Sequence, residues 1–475
     1  MDASLRKRVT VHGALALSLF WVLTIWNVWE KDVSALGWNV SVFIVVAVAL
    51  YAFASEKRAW QRVDLLFLAP LGLIAVSYAL YENPYIKLVN CLVVPLLFAV
   101  SWIVSSTRNS RNVVWNIGWL RRIIERFVGI VSTLGKAVSL TIESIFPFSR
   151  NRSDIHRRVA IGLAIFIVVA CFIFIPLLSG ADERFAELVR QVYAPLLEII
   201  SLETLMRFCV FVLLALLLLA GIVRWTKEDS YMSTETKKMD SVISGIVLGG
   251  VLALYVIFLA TQMSSLWVQT LPTEFLSTER LVKSGFWQLF FLSGINAFLF
   301  LIYYRRTARP VQNILVVFMV ASLFLLFSAA NRMGMYVYYY GFSYEKFFAL
   351  YTVLFAILLF VRLIAALFQK SKPDMVKFIV VAFVWMYAVA TVFPVEQTIF
   401  RLNKRLAALP DSRINMMELK MLSSDVYGLV LAESAQAEAD GKWQEWLAKA
   451  RATSSTKEFY EMNWQDVLLH NRYGL

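Results

Sequence analysis

Long apolar runs recur along this 475-residue chain and constrain its fold more than any other feature. The hydrocarbon core of a bilayer is about 30 Å thick, so a helix that crosses it needs roughly 20 apolar residues. Eleven segments approach or meet that length: 9–29, 38–54, 63–80, 86–105, 158–178, 204–223, 241–264, 284–304, 311–330, 347–368 and 376–393. The sequence therefore predicts an all-α, polytopic membrane protein with about eleven transmembrane helices.

The composition excludes the main alternative classes. Hydrophobic residues make up 59% of the chain and charged residues only 17%, whereas soluble domains average about 45–50% apolar and about 25% charged residues. A soluble enzyme, a disordered chain and a disulfide-stapled secreted domain are therefore excluded. The apolar segments are continuous rather than alternating, which disfavours a transmembrane β-barrel.

The distribution of basic residues predicts the orientation, because cytoplasmic loops collect lysine and arginine. With the N-terminus inside, the cytoplasmic segments hold 25 or 26 Lys and Arg residues, depending on where the fifth span starts, and the external loops hold eight. An odd number of spans then places the C-terminus outside, in the periplasm. The near-neutral composition of the tail, ten basic and eleven acidic residues from position 394, suits that location.

Four regions follow from this pattern: a four-helix membrane unit (1–105), a basic cytoplasmic segment (106–157), a seven-helix membrane unit (158–393) and a small helical external tail (394–475). In the tail, the spacing predicts a helix from Val395 to Leu409 that Pro410 ends. Ser423, Ser424 and Asp425 predict a cap before a helix from Val426.

The basic segment is amphipathic, since apolar residues from Trp115 onward recur every three or four positions. This pattern predicts a helix lying in the cytoplasmic interface and bound to anionic lipids. A cytoplasmic helix packed on the bundle is the alternative. The residues expected at the lipid interface are Trp115, Trp119, Arg121, Arg122, Arg126 and Lys136. Lipid binding accounts for the net charge of +13 without a nucleic-acid partner, for which no motif is present.

Two amides in the eighth apolar segment are conspicuous because polar side chains are costly at membrane depth. Gln288 and Asn296 lie eight residues apart and share one side of the predicted helix. They form a candidate intramembrane polar face that could line a pocket. Interhelical hydrogen bonds are the alternative role for each of them.

The densest cluster of polar and aromatic residues lies between the ninth and tenth segments. Gly341 can adopt a positive φ and end one helix, and Ser343 can cap the next. One interpretation is an outer aromatic belt with a snorkelling arginine. The other is an external cleft in which Arg332 binds an anion and tyrosines stack on a sugar or lipid headgroup. Its residues would be Arg332, Tyr336, Tyr339, Tyr340, Ser343, Glu345 and Lys346.

Catalytic, metal and cofactor signatures are not recognisable in the sequence. The three cysteines fall inside apolar runs, and the three histidines have no ligand spacing. The sequence therefore predicts no catalytic residue, no metal site and no cofactor.

The junction resembles a motif of bacterial polytopic membrane proteins that are classed only as domains of unknown function, numbers 4153 and 4173. Arg332-Met333, Tyr336 and Tyr340-Gly341 occupy matching places, while Phe342, Ser343 and Lys346 replace leucine, threonine and arginine. Asn296 and Asn403 also correspond, as do Ser284–Leu289 and Leu422–Asp425. The resemblance implies a bacterial inner-membrane protein and supplies no activity.

These features lead us to expect a non-enzymatic, envelope-associated scaffold, sensor or regulatory protein. A membrane protein or a lipid-linked ligand would be its partner. A transporter or flippase for an anionic or lipid-linked solute is the first alternative. A membrane-embedded glycosyl- or acyl-transferase is the second, and it would need a carboxylate or histidine base at the external face.

Overall fold

The computed structural model describes residues 3–55, 62–105, 117–145, 184, 187, 202–225, 239–266, 275–304, 306–369, 373–410, 412–414, 422–434, 448, 451–453 and 455–473. Regular structure in these residues is entirely helical. Nine helical stretches among them are long and apolar enough to cross a membrane, and Trp38–Ala54 and Ser241–Ile257 are shorter apolar helices. The protein is therefore an all-α polytopic membrane protein.

Ten of the eleven predicted apolar segments coincide with described helices, and the fifth, 158–178, lies outside the described residues. The first group is α1 (Ala3–Thr24), the short α2 (Val28–Lys31), α3 (Trp38–Ala54), α4 (Arg62–Leu80) and α5 (Pro84–Ser105). The basic segment forms α6 (Ile117–Val128) and α7 (Leu134–Ile145). The second group is α8 (Leu202–Trp225), α9 (Ser241–Leu266), α10 (Phe275–Tyr303), α11 (Arg309–Tyr340), α12 (Tyr344–Phe368) and α13 (Met375–Val392).

Two apolar cores cross the boundary between the predicted membrane units. Tyr51 of α3 packs with Trp102 of α5 and Trp225 of α8, and the Tyr51 hydroxyl donates to the Leu218 carbonyl over 3.0 Å. Phe67 of α4 lies in a neighbouring cluster that includes Ala388 of α13. Helices α8 and α13 therefore complete the core of the first four long helices.

The remaining long helices share a third core. Helix α11 lies between α10 and α12 and also contacts α9. Phe318 and Leu325 of α11 are completely or almost completely buried against Phe300 of α10 and Phe360 of α12. Helix α11 is therefore central among α9, α10, α11 and α12. Its C-terminal end leads into the polar and aromatic segment between the ninth and tenth apolar segments.

The described part of the tail folds back onto one end of the molecule. It comprises α14 (Val395–Ala407), a 3₁₀ turn at Ser424–Val426, α15 (Tyr427–Ser434), a 3₁₀ turn at Phe459–Glu461 and α16 (Trp464–Tyr473). An apolar cluster joins Ile86 of α5 and Tyr344 of α12 to Ile399, Val426 and Leu469 of the tail. The tail is thus packed against the helix ends and is not a separate body.

Candidate functional site

The turn between α11 and α12 has the geometry that its sequence predicts. Gly341 has φ of 70° and ends α11. The Ser343 hydroxyl accepts from the Lys346 backbone N–H over 3.5 Å and caps α12. The Lys346 ammonium donates to the carbonyls of Tyr340 (3.1 Å) and Gly341 (2.7 Å), so its charge stabilises the C-terminal end of α11.

Asn403 of α14 fastens the tail to this turn. Its Oδ1 accepts from the Phe342 N–H over 2.6 Å, and its Nδ2 donates to the Phe342 carbonyl over 2.9 Å. A Cβ at Gly341 would lie 2.7 Å from the same Oδ1. The turn and the tail helix therefore meet at a distance that only glycine allows.

Tyr339 and Tyr340 also contact the tail. The Arg413 guanidinium lies 5.8 Å from the Tyr339 ring and 5.7 Å from the Tyr340 ring. Its Nη1 donates to the Tyr340 hydroxyl over 2.9 Å, and its backbone N–H donates to the Tyr339 carbonyl. These two tyrosines, expected in a ligand cleft, are bound by the protein's own arginine.

A cavity of about 460 Å³ opens beside the turn, between α10, α11 and α12. Three of the residues predicted for the external cleft line this cavity: Tyr336, Glu345 and Lys346. The rest of the wall is mainly aromatic and apolar: Phe286, Trp287, Phe290, Met333, Phe348, Ala349 and Thr352. The cavity therefore has an apolar body and a charged end.

Lys346 connects the cavity to the turn, since its Nζ lies 4.1 Å from the centroid of the Tyr336 ring. This cation–π contact and the two carbonyls fix the ammonium in place. Glu345 is exposed, whereas Arg332 is buried one turn before Tyr336 and lies outside the cavity lining. Within the described residues, the charged groups of the cavity are thus Glu345 and Lys346.

The two candidate intramembrane amides have different environments. Asn296 is fully buried; its Oδ1 accepts from the Tyr255 hydroxyl over 2.6 Å, and its Nδ2 donates to the Ser322 hydroxyl over 2.5 Å. Gln288 is exposed beside the cavity residue Trp287. Asn296 therefore joins α9, α10 and α11, and the structure does not bring Gln288 to it.

The predicted lipid-interface residues are divided between the core and the surface. Trp119 and Arg126 are buried, and the Trp225 indole of α8 donates to the Arg126 carbonyl over 3.3 Å. Arg121 is exposed and paired with Glu125, and Lys136 is exposed. Trp115 and the Arg122 side chain lie outside the described parts. Ala137 of α7 is completely buried in the core that includes α8, so α7 packs on the bundle.

A buried ionic cluster joins the tail to the connection between α4 and α5, and sequence reasoning missed it. Glu82 Oε2 accepts from the ammonium groups of Lys87 (2.9 Å) and Lys457 (2.7 Å), and Lys457 also donates to Asp466 Oδ2 over 2.8 Å. Asn463 donates to the same Glu82 oxygen over 2.8 Å. The neighbouring carboxylates raise the pKa of Lys457 despite its burial. Lys87 in an apolar segment was the only sequence signal, because a buried ammonium needs a counter-charge.

Asp425 and Glu396 lie next to this cluster. The Asp425 carboxylate accepts from the backbone N–H groups of Glu82 (2.8 Å) and Asn83 (3.2 Å). Glu396 Oε2 accepts from both the N–H and the hydroxyl of Ser423 over 2.7 Å. Asp425, a cap residue recognised in the sequence, thus holds the tail on the α4–α5 connection, and Ser423 holds α14 to the next part of the tail.

Among the described residues there is no group of three or more histidine, cysteine or acidic side chains that could hold a metal ion. A family model described as "Domain of unknown function (DUF4153)" matches residues 68–429. Comparisons with curated proteins and with solved structures return no match. The matched region contains the cavity, the turn, Asn403 and Leu422–Asp425.

Proposed function

The chain belongs to the DUF4153 family, whose description assigns no activity, and we propose that it is a non-enzymatic, envelope-associated sensor or scaffold. We propose further that it binds an amphipathic, lipid-like ligand in the cavity between α10, α11 and α12. The observation that carries this proposal is the combination of aromatic walls with a single charged end in a space of about 460 Å³.

The shape of the site suits a molecule with an apolar chain and a compact polar head. Lipid tails are as apolar as the cavity walls, so the hydrophobic effect alone gives little preference for the cavity over the bilayer. Selectivity then rests on ring contacts with Phe286, Phe290 and Tyr336 and on the charged end.

The charged end specifies the head group. Lys346 presents a fixed positive charge, and Glu345, next to it in the chain, presents an acceptor. An anionic group beside Lys346 and a hydroxyl or amine beside Glu345 would satisfy both. A phospholipid or another lipid-linked anion has this chemistry.

Binding is favoured over transport by the packing of the same helices. Asn296, Tyr255 and Ser322 form a closed, buried hydrogen-bonded set that links α9, α10 and α11. A transport path along these helices would have to open it. The transporter or flippase remains the alternative function, and a lipid-flip assay in liposomes distinguishes the two.

Thermal unfolding in detergent tests the proposed ligand. A ligand that binds only the folded protein stabilises it by about 2.7 kcal/mol at 100 times its Kd. We expect phosphatidylglycerol to raise the Tm of the wild type and to raise that of Ala349→Trp much less, because the indole takes up part of the cavity. Leu358→Trp is the matched control, because Leu358 lies exposed on α12 and outside the cavity lining.

An equal rise of Tm in wild type and Ala349→Trp would contradict the proposed site. A rise with phosphatidylcholine as large as that with phosphatidylglycerol would exclude selection by the positive charge of Lys346. If the reconstituted wild type transfers phospholipid between leaflets, the protein is a flippase and the proposed sensor or scaffold function is wrong.

We propose a bacterial inner-membrane location with a cytoplasmic N-terminus and an external tail. The tail contacts α2, the α4–α5 connection and the α11–α12 turn, three places that the distribution of basic residues predicts to be external. A periplasm-active reporter fused after the C-terminus should therefore be active. An active cytoplasmic reporter at the same position would contradict this orientation.

A further inference from the structure

The joint between the tail and the α4–α5 connection contains more buried acids than buried bases. Among its described groups are four carboxyl groups, of Glu82, Asp466, Asp425 and Glu396, and two ammonium groups, of Lys87 and Lys457, and all six residues are buried. Glu82 and Asp466 are paired with the two lysines over 2.7–2.9 Å. Asp425 and Glu396 remain as a surplus of two carboxyl groups.

A single serine connects the surplus pair. The Ser423 hydroxyl donates to Glu396 Oε2 over 2.7 Å and accepts from the Asp425 N–H over 3.3 Å. Glu396 Oε1 is buried and has no hydrogen-bond partner among the described residues. An ionised carboxylate with one unsatisfied oxygen is costly at such a site, whereas a protonated one is tolerated.

We propose that the docked tail holds a proton on the Glu396 and Asp425 carboxyl groups, and that loss of this proton loosens the tail from the α4–α5 connection, so that tail docking responds to pH. The two carboxyl groups therefore form a binding site for a proton. This inference is independent of the proposed lipid-binding cavity. Groups that face the pair from the packed elements are Tyr81, Glu82, Lys87 and Ser423, and Lys457 and Asp466 lie behind Glu82.

The direction of the pH effect follows from the raised pKa values of the two carboxyl groups. Burial raises the pKa of Asp425 to about 7, and burial together with the Asp425 charge raises the pKa of Glu396. The docked tail therefore binds protons more tightly than an undocked one. Docking is strongest below the ordinary carboxyl pKa of about 4 and weakens as pH rises toward and past 7.

Lys457 titrates outside this pH range. Its neighbours raise the pKa of Lys457 above the ordinary lysine value, so its contribution to docking is complete at neutral pH and is lost only in strong base. A loss of docking between pH 5.5 and 8.5 is thus assigned to the carboxyl pair.

Hydrogen–deuterium exchange of the full chain in nanodiscs tests the proposal. We expect the protection factor of residues 424–431, corrected for the intrinsic exchange rate, to fall by up to about tenfold per pH unit for one released proton. In Glu396→Gln one of the two titrating carboxyl groups is removed, so the fall in protection between pH 5.5 and 8.5 should be clearly smaller than in the wild type. Glu30→Gln, which alters an exposed carboxyl on α2, should behave like the wild type.

A wild-type protection factor that does not change from pH 5.5 to 8.5 would overturn the proposal, and so would an equal pH dependence in Glu396→Gln. Ser423→Ala provides a second variant should Glu396→Gln fail to fold. The lost hydroxyl stabilises ionised Glu396, so the midpoint should move to higher pH. An unchanged or lowered midpoint would overturn the proposal as well.

Discussion

Several family-motif residues of this chain lie in or near the tail and the turn that it contacts, although they are far apart in sequence. Tyr340 and Gly341 end α11, Asn403 binds the backbone of Phe342, and Ser423 binds Glu396. The Asn403 contact joins the tail to the turn after α11, and the Ser423 contact holds two parts of the tail together. At the scale of single residues, the motif therefore describes a structural joint next to the cavity.

Gly341→Ala should destabilise the protein. A non-glycine residue held at φ of 70° costs of order 1–3 kcal/mol, and the new Cβ would lie 2.7 Å from Asn403 Oδ1. We expect a clearly lower Tm in detergent and weaker protection of α14 in hydrogen exchange.

Gly334→Ala is the matched control for that measurement. Gly334 lies on α11 and nothing would contact its Cβ within 4 Å, and alanine is the better helix former by about 0.8–1 kcal/mol. Its Tm should be unchanged or raised. A Tm of Gly341→Ala equal to that of the wild type would contradict the proposed role of this glycine.

At the scale of helices, the apolar runs and cap residues carried most of the information. Ten of the predicted segments are helices, and Ser343 and Ser423 cap where their sequences indicate. The end of an apolar segment is not the end of its helix. Helix α11 continues ten residues past the apolar segment that ends at 330 and stops at Tyr340, directly before Gly341, the residue expected to end it.

Amphipathic spacing identified α6 and α7 but not their buried sides. Periodicity shows which residues share a side of a helix, whereas burial depends on neighbours distant in sequence. Arg126 is buried and its carbonyl accepts from the Trp225 indole of α8, and Thr133 donates to the Ala220 carbonyl over 3.2 Å. Exposed Ile124, Val128 and Val131 remain available for lipid.

At the scale of the whole molecule, long-range contacts were beyond sequence reasoning. Glu82 binds Lys457 and Asn463 across more than 370 positions of chain, and no local pattern encodes such a pairing. Sequence reasoning likewise identified only some of the residues that line the cavity. Tyr336, Glu345 and Lys346 line the cavity, whereas Tyr339 and Tyr340 bind Arg413 of the tail.

Lys346 binds the end of α11 and also lines the cavity, and Asn403 of the tail binds Phe342 in the same turn. Occupancy of the cavity and docking of the tail are therefore adjacent events on one turn. This arrangement would let the proposed ligand site communicate with the tail, as the proposed sensor function requires.

Photo-crosslinking in nanodiscs tests the central claim, ligand binding in the cavity, most directly. With a phosphatidylglycerol that carries a diazirine on its acyl chain, the adducts should concentrate on residues 286–290 and 345–352. They should be much weaker in Ala349→Trp and persist in Leu358→Trp. Adducts spread evenly over the lipid-exposed helices, or an unchanged pattern in Ala349→Trp, would contradict the claim.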